Sequence, residues 1–343
     1  MANIKHILVI RLSAMGDVAM TVPVLRAFSL HYPEVKITVV SRPFFKPFFD
    51  GISNVDFFPI DLNKRHKGFL GLLRLYSDLK KLNINAVADL HNVLRSKVVR
   101  TLFTLSGKKV AATDKGRADK KALTRAENKI FAPVKSMFER HSDTFQKLGF
   151  TIDLSNPSFP SKAILSDEIL EITGVKNEKW IGIAPFAQYD SKVYPLDLLQ
   201  EVINGLAKEN QKLFLFGGGA KEIEKLNHLK GNLDTVIVVA GQLKLQQELD
   251  LISNLDLMLS MDSGNAHIAA MLGIKVVTLW GATHPYAGFK PFNQPLDYCI
   301  TADRDQYPLL PTSIYGNKKV VGYEEVMRTI IPITIFNKIK NEL

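Results

Sequence analysis

The sequence predicts an α/β protein that folds as two domains, each built around a parallel sheet. Strand-like apolar runs alternate with helix-like segments, and a chain of 343 residues exceeds the usual size of a single core. Two apolar runs, Ile7–Ile10 and Leu257–Met261, each end in an acidic turn that opens a helix-like segment. Ligands bind where parallel strands end, so these turns, about 250 residues apart, predict one cleft between two domains.

The first half alternates in the order expected for strand-helix-strand units. Its strand-like runs cover 4–12, 35–41, 55–60 and 86–90, and its helix-like segments cover 18–31, 70–82 and 95–105. The stretch 111–126 is polar and basic without a clear period, which predicts a surface loop. Turn residues then cluster at 151–162, where we expect the linker between the domains.

The second half repeats the same scheme. Pro195 suits the first position of one of its helices, and 323–343 reads as a closing helix despite Pro332. We therefore expect an N-terminal domain at 1–160, a C-terminal domain at 161–322 and a terminal helix at 323–343. The strand-like runs of this half cover 180–186, 212–216, 235–239, 256–261 and 275–280.

The composition excludes several classes of protein. Cys299 is the only cysteine, so an intrachain disulfide and a thiolate metal cluster are excluded, and the eight histidines lack zinc-ligand spacing. The N-terminal segment lacks the apolar region of a signal peptide, and no apolar run approaches the roughly 18 residues of a membrane span. We expect a cytoplasmic protein without a metal site.

The net charge of +10 is concentrated in one segment. Residues 97–147 contain 13 Lys and Arg against 5 Asp and Glu, a local excess of +8. Such a run is typical of a solvated helical face, but it also suits an anionic partner such as lipid phosphate or an acidic sugar. Nucleic acid is disfavoured because no helix-turn-helix, zinc-finger or aromatic RNA-binding pattern accompanies the charge.

Three strand-end loops of the second half carry candidate phosphate and sugar ligands. A helix that opens at Ser263 and Gly264 offers backbone N–H groups to a phosphate, and His267 lies one turn further on. Lys192 adds a mobile cation, although an isolated lysine is also typical of solvated surface. Glu222 could bind ribose hydroxyls, or it could be an ordinary carboxylate in the first turn of a helix. The glycine-rich loop before it lacks the spacing of a P-loop or of a GxGxxG motif.

Several of these motifs together resemble glycosyltransferase family 9, the heptosyltransferases of lipopolysaccharide core assembly. The resemblance spans roughly residues 4–292, and no single motif is specific by itself. The motifs, in family order, are Arg11–Val18 (RLSAMGDV), Thr21–Leu25 (TVPVL), Lys192–Pro195 (KVYP), Ala240–Leu243 (AGQL), Asp262–His267 (DSGNAH) and Gly281–Pro285 (GATHP).

The resemblance implies a GT-B architecture of two Rossmann-like domains that face each other across a cleft, with the last helix packed back on the N-terminal, acceptor-side domain. It implies inverting transfer of heptose from ADP-L-glycero-D-manno-heptose to a lipopolysaccharide or lipooligosaccharide core acceptor, with no cofactor and no metal. Asp17 matches the general base, and Lys192 matches the phosphate-binding lysine. The residues matching the donor site, Lys192 included, are Ala187, Gln188, Lys192, Glu222, Asp262, Ser263, Gly264 and His267.

The family resemblance says least about the acceptor-binding residues. The expected partners are a nucleotide-sugar donor and an anionic lipid-linked sugar, with peripheral contact to the cytoplasmic face of the inner membrane and no nucleic acid. The sequence departs from the family at Ser263, Tyr194 and His284, where threonine, tryptophan and an acid are common. The candidate acceptor residues are Gly16, Lys64, Arg65, Asn92, Arg95 and His141.

Three alternatives stay open from the sequence alone. The chain could use another nucleotide sugar, because the donor turn recognises hydroxyl patterns that one sequence does not resolve. It could be a GT-B nucleotide-sugar epimerase, which attacks its donor with water. It could also be a noncatalytic nucleotide-sugar-binding protein, although the presence of both Asp17 and Lys192 disfavours that reading.

Overall fold

Strands form where the sequence has short, continuous apolar runs, as parallel strands buried on both faces require. We describe residues 4–209 and 211–343 of a computed structural model. The strands are β1 (His6–Ile10), β2 (Lys36–Ser41), β3 (Val55–Pro59), β4 (Ala86–Asp89), β5 (Lys109–Ala112), β6 (Lys179–Ala184), β7 (Gln211–Leu215), β8 (Val236–Val238), β9 (Leu257–Met261), β10 (Lys275–Trp280) and β11 (Cys299–Thr301).

Helices form where apolar residues recur with a helical period between these strands. They are α1 (Met15–Ala19), α2 (Val22–His31), α3 (Gly68–Lys80), α4 (Leu94–Leu105), α5 (Arg117–Thr124), α6 (Met137–Leu148), α7 (Asp167–Thr173), α8 (Leu196–Leu206), α9 (Ala220–Lys230), α10 (Leu245–Ser253), α11 (Gly264–Met271) and α12 (Pro332–Glu342). The sequence missed β5 and β11, which are short and partly exposed.

The first sheet is parallel with strand order β3-β2-β1-β4-β5. Ile10 at the end of β1 pairs with Val40 on one side and with Asp89 on the other. The strand order reverses between β1 and β4, and this is where Rossmann-like sheets bind ligands. The loops that follow these two strands therefore lie side by side at the carboxyl edge.

The second sheet has the same topology. Its order is β11-β10-β9-β6-β7-β8, and the order reverses between β6 and β9, where Ala184 pairs with Ser260. Leu257 and Leu259 of β9, Ile181 and Ile183 of β6 and neighbouring apolar side chains form the core of this unit. The prediction of two Rossmann-like α/β domains with parallel sheets is confirmed.

The chain divides into two compact units whose sequence boundaries differ from simple halves. One unit comprises residues 1–115 and 135–159, and the other comprises 116–134 and 160–343. Part of the stretch predicted as a surface loop is thus α5 of the second unit. There Lys120 is buried with its ammonium 4.0 Å from the centre of the Phe289 ring. A cation held by an aromatic ring leaves no periodic signal in the sequence.

The terminal helix also differs from its prediction. It covers only Pro332–Glu342, with Pro332 in the first turn, and the structure groups it with the second unit, where it packs on α8 and β9. Ile335 and Ile339 are fully buried in that core. The expected packing of 323–343 on the first domain stays a prediction. Proline is tolerated at the helix start because the first-turn N–H groups have no intrahelical acceptor.

The basic segment 97–147 is less available to a partner than its charge suggests. At least seven of its 13 cationic side chains bind groups within their own unit in the described structure, which leaves a smaller basic surface than the sequence count of +8. These side chains are Arg100, Lys109, Lys120, Arg125, Lys129, Lys135 and Arg140.

Glu248 on α10 makes the stability dependent on pH. Its half-burial raises the pKa of the carboxyl from 4.5 to about 7. The unfolded chain releases this proton at lower pH than the folded chain, so this group costs stability as the pH rises from about 4.5 through 7. We expect Glu248→Gln to raise the unfolding free energy by about 1 to 3 kcal/mol at pH 8 and little at pH 4.

Denaturant unfolding at the two pH values measures this difference. The exposed acid Glu171 on α7 provides the matched control, Glu171→Gln. A gain that is equal at both pH values, or equal in the two variants, would contradict the buried-acid explanation.

Candidate functional site

The start of α11 is a ready anion site at the switch point of the second sheet. β9 ends at Met261, and the helix begins at Gly264 with Ser263 at its N-cap. No side chain caps this end in the described structure, because the Ser263 hydroxyl lies 3.1 Å from that of Ser260 instead. First-turn N–H groups lack intrahelical acceptors, so they are able to bind phosphate oxygens.

Lys192 lies at the same edge, paired with Asp262. Its ammonium is 2.9 Å from Asp262 Oδ2, and the Thr283 hydroxyl donates to that oxygen at 2.8 Å. The side chains of Lys192 and Asp262 are only 13% and 8% exposed. A nearly buried ion pair needs further hydrogen bonds to offset desolvation, and Thr283 supplies one. The predicted phosphate-binding lysine is therefore held beside the donor turn.

Gly316 packs against the aliphatic stem of Lys192. The Ser191 hydroxyl donates to the Gly316 carbonyl at 2.7 Å, and the Ala282 N–H donates to the Ser191 carbonyl at 3.2 Å. A Cβ on Gly316 would lie 2.6 Å from Lys192 Cδ, so only glycine leaves room for the lysine stem. Gly316 also has φ +83°, which glycine adopts without strain. Neither Gly316 nor Thr283 of the GATHP motif was predicted as a site residue, because both lie far along the chain from Lys192.

The remaining predicted donor residues lie on the same sheet edge. Glu222, in the first turn of α9, accepts a hydrogen bond from the Gly218 N–H at 2.8 Å, which orients its carboxylate. Ala187 is half-buried and Gln188 is exposed in the loop after β6, and His267 is buried in α11. These loops follow β6, β7 and β9, which are neighbours in the sheet. The structure thus brings the predicted donor residues to one edge.

His284, one of the departures from the family, has a structural role. Its Nδ1 accepts from the Tyr286 N–H at 3.1 Å, and its ring contacts Phe131 and Tyr286. Burial, followed by the charges of Arg304 and Lys129, lowers the pKa of His284 to about 4. The imidazole is therefore neutral at physiological pH and supports the packing of the inserted segment 116–134.

Asp17 lies at the switch point of the first sheet, in α1 directly after β1. Its Oδ2 is 2.8 Å from Arg11 Nη2 and accepts the Ala14 N–H at 3.3 Å. Arg11 is buried, and its Nη1 donates to the Leu90 carbonyl at 2.7 Å. Arg11 thereby fixes the carboxylate at the turn. No role for Arg11 was predicted from the sequence, although a charged residue directly after a buried strand indicates a candidate site residue.

His91 lies close to this turn but is not a candidate proton carrier near neutral pH. Burial, followed by the charges of Arg11 and Lys115, lowers its pKa to about 3. Its Nδ1 accepts from the Leu12 N–H at 3.4 Å, which requires the neutral ring. Asp17 stays the predicted general base of this turn.

The predicted acceptor residues differ in exposure and in partners in the described structure. Gly16, Asn92 and Arg95 lie at the carboxyl edge of the first sheet, where the Asn92 amide bonds Thr113 and Arg100 and Arg95 is exposed in the first turn of α4. Arg65 makes two 2.8 Å bonds to Asp78. Of the remaining two, Lys64 is exposed in the loop after β3 and His141 is fully buried on α6.

Two features are absent from the residues that the structure describes. No group of three or more His, Cys, Asp or Glu side chains there is arranged to hold a metal ion. None of the helices in residues 4–209 and 211–343 combines the length and apolar character needed to cross a bilayer.

Comparisons with known proteins agree with the family resemblance that the sequence motifs indicated. The sequence model described as Glycosyltransferase family 9 (heptosyltransferase) matches residues 72–311. Lipopolysaccharide heptosyltransferase 1 of Campylobacter coli is 25% identical over 302 residues, covering 82% of this chain and 85% of the relative. Lipopolysaccharide core heptosyltransferase OpsX of Haemophilus influenzae is 25% identical over 293 residues, covering 82% of this chain and 80% of the relative.

A solved structure shares the fold over nearly the whole chain. E. coli heptosyltransferase WaaC with ADP matches at a TM-score of 0.68 and 18% identity, covering 98% of this chain and 100% of WaaC. This likeness confirms the GT-B fold that the sequence motifs implied.

Gly316→Ala tests the packing of the Lys192 stem on Gly316. The new methyl group displaces the lysine stem, so we expect ADP to bind roughly tenfold more weakly by calorimetry, a loss of about 1.4 kcal/mol. Gly322→Ala is the matched control, because Gly322 has a similar φ of +81° but no atom within 4 Å of its Cβ position. Both variants incur backbone strain, but only the first should lose ADP affinity. Equal ADP affinity in the two would remove Gly316 from the site.

Proposed function

Because the chain belongs to glycosyltransferase family 9, we propose that it transfers heptose from ADP-L-glycero-D-manno-heptose to a lipopolysaccharide or lipooligosaccharide core acceptor, with inversion at the anomeric carbon. The observation that carries the proposal is the Lys192–Asp262 pair beside the uncapped start of α11, at the switch point of the second sheet. A cation and free backbone donors at such a position suit a sugar diphosphate.

The donor binds through groups of the second unit. The first-turn N–H groups of α11, together with Lys192 and His267, hold the diphosphate, and Ala187 and Gln188 line the loop beside it. Asp262 faces the heptose hydroxyls, since a carboxylate accepts hydrogen bonds from hydroxyls but repels phosphate. Glu222, oriented by the Gly218 N–H, accepts from the ribose hydroxyls.

The chemical step is a single displacement at the anomeric carbon. Asp17 takes the proton of the acceptor hydroxyl as that oxygen forms its bond to the anomeric carbon. The bond from this carbon to the β-phosphate oxygen breaks, and its electron pair leaves with ADP. General-base catalysis of this kind contributes typically 10²- to 10⁴-fold. Arg11 supports the step by holding Asp17 in one orientation.

The leaving ADP is stabilised by fixed positive groups of the chain. Lys192 and the dipole of α11 act where negative charge develops, in a largely water-excluded position. We propose that they supply the charge that a divalent cation provides in many sugar-nucleotide enzymes.

The acceptor is an anionic lipid-linked sugar at the cytoplasmic side of the inner membrane. Gly16 lies in the same turn as Asp17, and Lys64 and Arg95 are exposed cations of the first unit. Arg65 is exposed as well, but its guanidinium is engaged by Asp78. Peripheral contact with the membrane follows from the lipid anchor of such an acceptor.

Asp17→Asn tests the base. We expect the variant to bind ADP-heptose as the wild type does, while transfer falls by roughly 10²- to 10⁴-fold, because the amide does not take up the proton. Calorimetry with the donor and mass spectrometry of the glycosylated acceptor measure the two effects. The exposed acid Asp56 provides the control Asp56→Asn, which should retain activity. Unchanged turnover in Asp17→Asn would remove this residue from the mechanism.

Chelation tests the metal-independent leaving-group stabilisation. We expect full transfer activity after dialysis against EDTA, because Lys192 and α11 already supply the positive charge. Rates before chelation, after chelation and after Mg²⁺ addition give the comparison. Complete loss with EDTA that Mg²⁺ restores would refute this part of the proposal.

A further inference from the structure

The first turns of α3 present an apolar surface to solvent. Phe69 and Leu70 are 64% and 67% exposed, and Leu73 is also exposed. The helical period places these three on one side, while Leu72 and Leu75 on the opposite side pack in the core. Neighbouring exposed apolar side chains on a folded surface indicate an interaction site. We call Phe69, Leu70 and Leu73 the α3 patch.

Exposed cations lie close in sequence to the α3 patch. They are Lys64, Lys67 and Arg74, and no ion pair joins them to a carboxylate of the described chain, although the charge of Asp61 attracts Lys64. The two acids nearby are already occupied. Asp61 accepts backbone N–H groups at 3.0 to 3.3 Å, and Asp78 binds Arg65 at 2.8 Å. The surface is therefore apolar at its centre and positive at its rim.

The loop beside the patch is held rigidly against α3. A Cβ on Gly71 would lie 2.3 Å from the carbonyl carbon of His66, so the loop backbone contacts the helix directly. The His66 N–H donates to the Asp61 carbonyl at 2.7 Å, and His66 Nδ1 accepts the Asp61 N–H at 3.0 Å. The cations and the apolar side chains are thus presented together by a packed structure.

We propose that the α3 patch docks on an anionic lipid surface. Phe69, Leu70 and Leu73 enter the boundary between headgroups and acyl chains, while Lys64, Lys67 and Arg74 meet lipid phosphates. This inference rests on the proposed function, whose acceptor is lipid-linked, and it names the surface that meets the membrane. Charge complementarity favours anionic lipid over a second copy of this chain, which would oppose like charges across a symmetric contact.

Vesicle co-sedimentation of the full-length chain tests the patch. The probes are phosphatidylcholine vesicles with and without phosphatidylglycerol, at low and high salt. The apolar variant is Phe69→Ser with Leu70→Ser. Its matched control is Leu94→Ser with Leu105→Ser, because these α4 leucines are 78% and 80% exposed outside the patch.

A charge variant separates the contribution of the cations to vesicle binding from that of the apolar side chains. Lys67→Gln with Arg74→Gln removes cations from the rim, and Lys97→Gln with Lys147→Gln removes equally exposed cations from the basic segment 97–147. Transfer is measured in parallel on an acceptor embedded in vesicles and on its deacylated, water-soluble form.

We expect the wild type to bind the anionic vesicles and to lose binding at high salt. The apolar variant should bind about tenfold or more weakly, because two buried side chains are lost from the contact. The charge variant should lose the preference for phosphatidylglycerol, while both controls bind as the wild type does. Transfer to the embedded acceptor should fall in the apolar variant, and transfer to the soluble form should not change.

Three results would overturn the proposal. They are absence of vesicle binding by the wild type, wild-type binding by the apolar variant, and a wild-type dimer in sedimentation velocity that the apolar variant converts to monomer. Vesicle binding needs neither donor nor turnover. Wild-type chain that binds vesicles in the expected pattern but transfers no sugar would therefore refute the proposed function and leave the docking surface standing.

Discussion

Parallel strand order is the constraint on which the site depends. Because all strands of each sheet run the same way, the loops that follow their carboxyl ends lie at one edge. Where the strand order reverses, the loops after two adjacent strands run to opposite sides and leave a gap between them. In the first sheet that gap follows β1 and β4, and in the second it follows β6 and β9. Residues as distant in sequence as Lys192 and Asp262 come within 2.9 Å for this reason.

Each unit has an ion pair at the point where its strand order reverses. In the first, Arg11 is buried after β1 and pairs with Asp17, and in the second, Lys192 pairs with Asp262. Neutral groups also bind each pair: the Leu90 carbonyl and the Ala14 N–H in the first, and the Thr283 hydroxyl in the second. Hydrogen bonds to the spare donors and acceptors of an ion pair offset part of its desolvation, as the Thr283 hydroxyl does for Asp262. Such pairs position functional groups, while their net contribution to stability is small.

Local composition was sufficient for much of the fold. The apolar runs that became β1, β2, β9 and β10 were evident because strands buried on both faces need continuous apolar sequence. The runs that became β5 and β11 were missed, since short strands with exposed residues lack that pattern. The stretch around α5 read as loop because its burial depends on contacts such as Lys120 with Phe289, which join positions far apart in the chain.

The sequence by itself determined two parallel α/β domains, the acid at each strand-order reversal and the family to which the chain belongs, because these depend on short-range patterns and on motifs in a set order. Only the tertiary structure decided which charges are available. It placed Arg11 on Asp17, put Gly316 beneath Lys192 and engaged Arg65 with Asp78. Pairing and desolvation are properties of atoms brought together by folding, and a linear sequence does not encode distance between them.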